Sequence, residues 1–185
     1  MGEAEDQAIS RAFAAVPERN TGDVLLRTTQ QHHVQLSVMA DTKANILITV
    51  SSIILTLILG KMTDPNLRAA MGTLAGFIFT ALLLAVVSVL PKYRPLRIGA
   101  GAPLPPNFNL LFFGHFSELP KERFLLAVAE ELKADGSVYE AMARDVYAMG
   151  YYLAHFKYRF LRLSYLFFLG GFVFAALVEA VYLLG

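Results

Sequence analysis

Cysteine and tryptophan are both absent from the 185 residues, and only 17% of the chain is charged. Without thiols there is no disulfide framework, thiolate metal site, iron-sulfur cluster or cysteine nucleophile. An excess of one charge is lacking too: 16 basic residues against 15 acidic give a net charge of +1, so nothing directs the chain to nucleic acid as a partner. Glycine (13) and proline (8) are at ordinary levels, which excludes collagen-like and low-complexity architectures. What is abundant is apolar surface. Hydrophobic residues make up 56% of the chain at a mean hydropathy of +0.50. They are gathered into long runs, the composition of a membrane protein and not of a disordered one.

Three such runs stand out. Ala44 to Gly60 carries no charge and is bracketed by Lys43 and Lys61. At about 1.5 Å per residue it reaches roughly 25 Å, the short end of what spans a bilayer, with the flanking lysines able to snorkel. Ala69 to Leu90 is longer, uncharged, and stops at Pro91 ahead of Lys92, Tyr93 and Arg94, a basic and aromatic interface anchor. Leu163 to Gly185 is interrupted only by Glu179, an ionisable residue inside a span and hence either a functional group or a group at the outer interface. Lys92, Arg94, Arg97, Lys157, Arg159 and Arg162 flank the long connection, whereas the turn between runs one and two has only Lys61 and Arg68. By the positive-inside rule the N-terminus and the connection are cytoplasmic and the C-terminus lies outside. Residues 1–27 hold no apolar signal-peptide core, so the first span serves as its own targeting signal, in a bacterial inner membrane.

The expected organisation is a leader over 1–22, a cytoplasmic stem over 23–43, spans at 44–60, 69–90 and 163–185, an external turn at 61–68 and a helical cytoplasmic region over 91–162. Asp23 reads as an N-cap opening a single helix over 24–59, with Leu25, His32, Leu36 and Met39 on one face. Residues 95–109 contain four prolines and cannot hold a helix. An aromatic patch, LLFFGHF at 110–116, precedes a short amphipathic helix over 121–134 with the stripe Phe124, Val128 and Leu132. Ser137 and Glu140 form a capping-box pattern opening a helix that meets no proline before the third span. The fold class is therefore all-α: three transmembrane helices with a helical cytoplasmic insert, two spans continuing as cytoplasmic stems.

No Walker loop, nucleophile elbow or His-Glu-x-x-His motif is present, so neither an enzyme nor a cofactor is expected. His32 and His33 diverge by about 100° on a helix and make a poor metal pair. Polar function is densest in HHVQLSVMADTKAN at 32–45, where His32, Asp41, Lys43 and Asn45 are candidates for coupling a signal at the mouth of the first span; the alternative is an interfacial snorkelling pair of Asp41 and Lys43. Arg144, Asp145, Lys157, Tyr158 and Arg159, with His115 from the aromatic patch, supply the guanidinium, carboxylate and ring faces that a small anionic nucleotide requires. Any membrane-proximal helix carries these types as well. Ala69, Gly72 and Gly76 in the second span lie at spacings of three and four, a surface suited to close helix contact.

ADTKAN at 40–45, LLFFGHFSELPKERF at 110–124 and ARDVYAMGYYLAHFKYRFLRLSYLFFLGG at 143–171 together resemble the transmembrane effectors of Pycsar, the pyrimidine cyclase system for antiphage resistance. The resemblance covers roughly residues 30–180. It implies a partner cyclase making cyclic CMP or cyclic UMP during infection, a receiver that binds this messenger on its cytoplasmic side, and oligomerisation or rearrangement of the spans in the lipid bilayer that impairs the membrane and kills the infected cell. Two other functions fit the residues alone: a membrane anchor or scaffold recruiting a cytoplasmic enzyme through helix 121–134, without ligand gating, and a small constitutive channel subunit.

Overall fold

The computed structural model describes residues 7, 11–15, 20–91, 98–99 and 102–184, and every regular element among them is helical. The anchor at Lys92, Tyr93 and Arg94, with Arg97, lies outside the described residues, as does most of the leader. The first helix, α1 (Asn20–Lys61), is one unbroken rod, about 63 Å long at ~1.5 Å per residue. It begins three residues before the expected cap, so Asp23 sits inside the first turn, where a carboxylate still complements the helix dipole. After a turn in which Asn66 N–H donates to Asp64 Oδ1 (3.0 Å), α2 (Arg68–Val89) runs to Leu90. Pro91 holds Leu90 extended at ψ 129° and so ends the helix.

Two short helices follow, α3 (Phe113–Phe116) and α4 (Lys121–Glu131). Next come α5 (Asp135–Tyr152), a π-turn at Leu153–Lys157, and α6 (Tyr158–Leu184). These last three are continuous. Thr21–Lys61, Arg68–Val89 and Asp135–Leu184 are each long and apolar enough to cross a membrane. The expected capping box is absent, because α5 starts two residues early and Ser137 Oγ instead donates to the Ala134 carbonyl (2.7 Å). Glu140 is engaged elsewhere, by Arg144.

The chain forms two compact units, one of Met1–Val34 with Lys92–Tyr151, the other of Gln35–Pro91 with Tyr152–Gly185. In the second unit α2 buries Ala70, Leu74, Ile78, Ala81, Ala85 and Ser88, a single stripe at spacings of three and four. Small residues let α6 approach it closely. A Cβ on Gly171 would stand 2.8 Å from Phe77 Cβ, and Ser164 Oγ donates to the Ala81 carbonyl at 2.6 Å. The membrane part of α1 completes this core: Ile58 joins Leu74, Ile78 and Ala175, and Ala40 and Ala44 meet Leu161. The Ala69, Gly72, Gly76 surface takes no part, since a Cβ on Gly72 or Gly76 would meet nothing within 4 Å.

In the first unit fewer side chains are buried, chiefly Tyr139 and Leu119. Residues 11–14 form a helical turn set against the start of α5, where a Cβ on Gly136 would come within 2.8 Å of the Phe13 carbonyl. The face of α1 that carries Leu25, His32, Leu36 and Met39 is mostly exposed. Leu25 and Met39 are 66% and 50% exposed, and α1 meets its neighbours through Gln30, His33, Ser37 and Ala40 instead. That face is small and polar, so it admits close neighbours and hydrogen bonds where the leucine stripe would not.

Candidate functional site

Among the described residues, a polar cluster stands in each unit. In the first, Asp145 on α5 accepts two amide hydrogen bonds, from Asn109 Nδ2 to Oδ1 (2.9 Å) and from Gln30 Nε2 to Oδ2 (2.7 Å). The carboxylate thus ties the end of the proline-rich connector and the stem of α1 to one helix. The Asn109 backbone N–H donates to His115 Nδ1 at 2.9 Å, and Asn109 Oδ1 accepts from the Leu111 N–H, also at 2.9 Å. His115 stands between the rings of Phe108 and Phe112, at centroid distances of 5.8 and 5.1 Å. Burial holds its pKa below the usual 6.5. The neutral ring is also what the geometry needs, because a protonated Nδ1 could not accept from Asn109.

One residue before Asp145, Arg144 grips Glu140 Oε1 through Nε (2.9 Å) and Nη2 (2.7 Å). Glu131 stands in the same electrostatic field. Its pKa is raised by burial and then by the Glu140 charge, with Arg144 opposing.

In the second unit the centre is Lys157, at the end of the π-turn. Its ammonium donates to Ser37 Oγ and Asp41 Oδ2, both at 2.7 Å. The Lys157 side chain is 8% exposed and that of Asp41 40%, so the cation is the more deeply placed partner. A π-turn admits one extra residue and so rotates the side chains around it relative to a plain α-helix. Next to it Tyr158 OH donates to the Leu36 carbonyl (3.1 Å). The Asp41–Lys43 snorkelling pair is therefore not formed. Residues two apart on a helix do not face each other, and Asp41 finds its counter-ion on the other long helix while Lys43 stays exposed.

A family model of the Pycsar effector protein domain matches residues 24–184. The chain belongs to the Pycsar effector family. No curated protein and no solved structure matches it. As a Pycsar effector it is a membrane protein of antiphage defence, and the family implies partnership with a cyclase and its cyclic nucleotide signal. The matched residues include both clusters.

Of the residues singled out in this Pycsar effector by sequence, His115 and Asp145 are brought together through Asn109, and Arg144 lies beside them in the chain. Lys157 and Tyr158 belong to the second unit with Asp41. Arg159, His32, Lys43 and Asn45 are exposed. Sequence reasoning did not single out Gln30, Ser37 or Asn109. Ser37 had a local signal, standing one turn before Asp41 on the same face. Gln30 and Asn109 had none, since their partner Asp145 is distant in the chain and neutral amides carry no charge to match.

Proposed function

We propose that this effector senses a cyclic pyrimidine mononucleotide, cyclic CMP or cyclic UMP, made by its partner cyclase, and that ligand binding leads to impairment of the bacterial inner membrane and abortive infection. The family match across residues 24–184 carries this reading. The candidate ligand contacts are taken unit by unit: Arg144, Asp145 and His115 in the first, and separately Lys157, Tyr158 and Arg159 in the second. Arg159 is exposed and fits a phosphate directly. Arg144 is already held by Glu140, so a phosphate there would have to exchange with a carboxylate. The neutral His115 and its aromatic neighbours offer flat faces to a base, and Asp145 an acceptor for a ribose hydroxyl.

Coupling to the membrane is assigned to His32, Asp41, Lys43 and Asn45. The Lys157–Asp41 pair is suited to this role because it joins the two long helices through a single ion pair that a ligand could break or hold. A ligand shifts such a pair only by binding one of its states better. The N-terminus and residues 91–162 are cytoplasmic in this reading, the C-terminus is external, and copies self-associate in the bilayer. One observation favours the scaffold alternative: Leu125, Leu126 and Leu132 along and just beyond α4 are 53%, 73% and 67% exposed, an apolar strip free to take a protein partner.

The test is to express the effector in cells without its cyclase and follow membrane potential while supplying cyclic CMP, cyclic UMP or purine controls. Depolarisation with a pyrimidine nucleotide alone is expected, blunted at least tenfold in dose by Arg159→Ala. No response to any nucleotide at normal membrane expression removes the ligand-gated reading in favour of the scaffold.

A further inference from the structure

The first span has two faces built on the same spacing. One is internal: Ala40, Ala44, Leu47, Ser51 and Ile58 are buried in the second unit. On the other side of the helix Thr42, Asn45, Thr49, Ser52 and Thr56 are all exposed. Their spacings are three, four, three and four, a 3.5-residue repeat that runs almost the length of the span. At about 100° per residue they stay on one narrow stripe, roughly opposite the internal face. Apart from Lys43 at the entry of the span, the exposed positions beside this stripe, Ile46, Val50, Ile53 and Leu57, are aliphatic, as lipid contact demands.

A polar stripe turned to hydrocarbon is costly unless its groups are satisfied. The hydroxyls meet this condition within the helix. Thr42, Thr49, Ser52 and Thr56 each donate to the carbonyl four residues back, at 2.8–3.0 Å. Asn45 does not: among the described residues its side-chain amide has no hydrogen-bond partner. A depression of about 360 Å³ lies around it, lined by Thr42, Asn45, Ile46, Thr49 and Val50, with room for a side chain from outside.

We infer that this stripe is a seam at which the first span pairs with the first span of a second copy of the chain. A carboxamide is both donor and acceptor, so two Asn45 side chains satisfy each other across a two-fold axis, whereas a lipid tail satisfies neither. A single asparagine in an otherwise small-residue heptad seam fixes register and partner number in helix pairs. The 3.5 repeat also sets the crossing as left-handed and shallow, keeping the seam in contact over several turns. The pairing requires only membrane insertion. It goes beyond the nucleotide reading and does not depend on it.

Because the natural chain has no cysteine, each single Cys substitution gives a protomer with one thiol. In membranes containing the full chain and no nucleotide, copper phenanthroline should drive disulfide dimers at Thr42→Cys, Asn45→Cys, Thr49→Cys, Ser52→Cys and Thr56→Cys. Leu57→Cys, about 100° around the helix from the middle of the stripe, should stay monomeric. Asn45→Leu in the Thr49→Cys background should lower the association constant on the order of 3- to 30-fold. Dimers forming best at Leu57, equally at all positions, only at Gly72→Cys and Gly76→Cys, or at no position would each overturn the seam. Because the readout is a covalent dimer without ligand, its failure leaves the depolarisation test unaffected, and failure of that test leaves the seam unaffected.

Discussion

The two units of this effector are held by different forces. In the membrane unit, Ala44, Ser51, Ile78, Ala81, Ala85 and Ser164 are wholly buried, and α6 approaches α2 so closely that Gly171 has no room for a side chain. Contact there depends on shape, because lipid is as apolar as leucine and supplies no hydrophobic drive between helices. The other unit buries little and instead ties its segments through polar side chains: Asp145 to Asn109 and Gln30, Asn109 to His115, Arg144 to Glu140. Bonds of this kind exchange readily with water or a ligand, each with a net worth of only about 0.5–1.5 kcal/mol. A unit built on them is suited to read a signal. A unit built on interlocked small residues is suited to hold one of two arrangements and not a continuum between them.

The largest expected test of this contrast is Gly171→Leu. The new Cβ would stand 2.8 Å from Phe77 Cβ, an atom that no rotamer change can withdraw, so the membrane unit should lose about 3 kcal/mol. Thermal melting in mild detergent measures it, with Gly76→Leu as the control in open space; equal losses for the two would mean that close approach is not what holds the bundle.

A smaller effect is expected from Asp41→Asn, which leaves the buried Lys157 ammonium without its counter-ion. The cost should be about 1–3 kcal/mol, and greater than that of Lys157→Met, because the lysine is the more buried partner and its removal leaves only the 40% exposed Asp41, which water can reach. The same melting experiment ranks the two variants, and the reverse order would show that the hydrogen bonds donated by the lysine, and not its charge balance, hold the pair.

The smallest effect is a pH dependence confined to the polar unit. The folded pKa of His115 lies below its unfolded value of 6.5. Above that value the ring is neutral in both states and the stabilisation is intact. As pH falls below about 6.5 the unfolded chain takes up a proton that the folded chain resists, and stability declines toward the folded pKa. Amide exchange of the Asn109 N–H, which donates to this ring, should accelerate as pH falls below about 6.5 relative to the amides of α2. An equal change in both would place the titrating group elsewhere, and His115→Gln should abolish the difference.

Much of the architecture was legible in the sequence because a bilayer enforces it locally. Charge-free runs of this length satisfy their own backbone groups as helices in a bilayer, and Pro91 ends the second helix by its own sterics. The candidate site was less legible. Asp145, His115 and Lys157 could be singled out as residue types, but their partners could not. Asp41 reads as a neighbour of Lys43 and is in fact the counter-ion of Lys157. Of the face formed by Leu25, His32, Leu36 and Met39 on the α1 stem, only Leu36 is half-buried and the rest are exposed, because α1 meets its neighbours through Gln30, His33, Ser37 and Ala40.

What the sequence by itself determined is the class and its family: an all-helical membrane protein with three spans, its charge gathered away from them, and the motifs of a Pycsar effector. Hydrophobicity and periodicity are properties of consecutive residues, so they are read without knowing what lies across a contact. Which face of each helix turns inward, where the π-turn falls and which cation answers Asp41 were decided only by the tertiary structure. Those outcomes depend on how closely two backbones approach, and that is set jointly by residues far apart in the chain, such as Ser164 and Ala81 or Lys157 and Asp41.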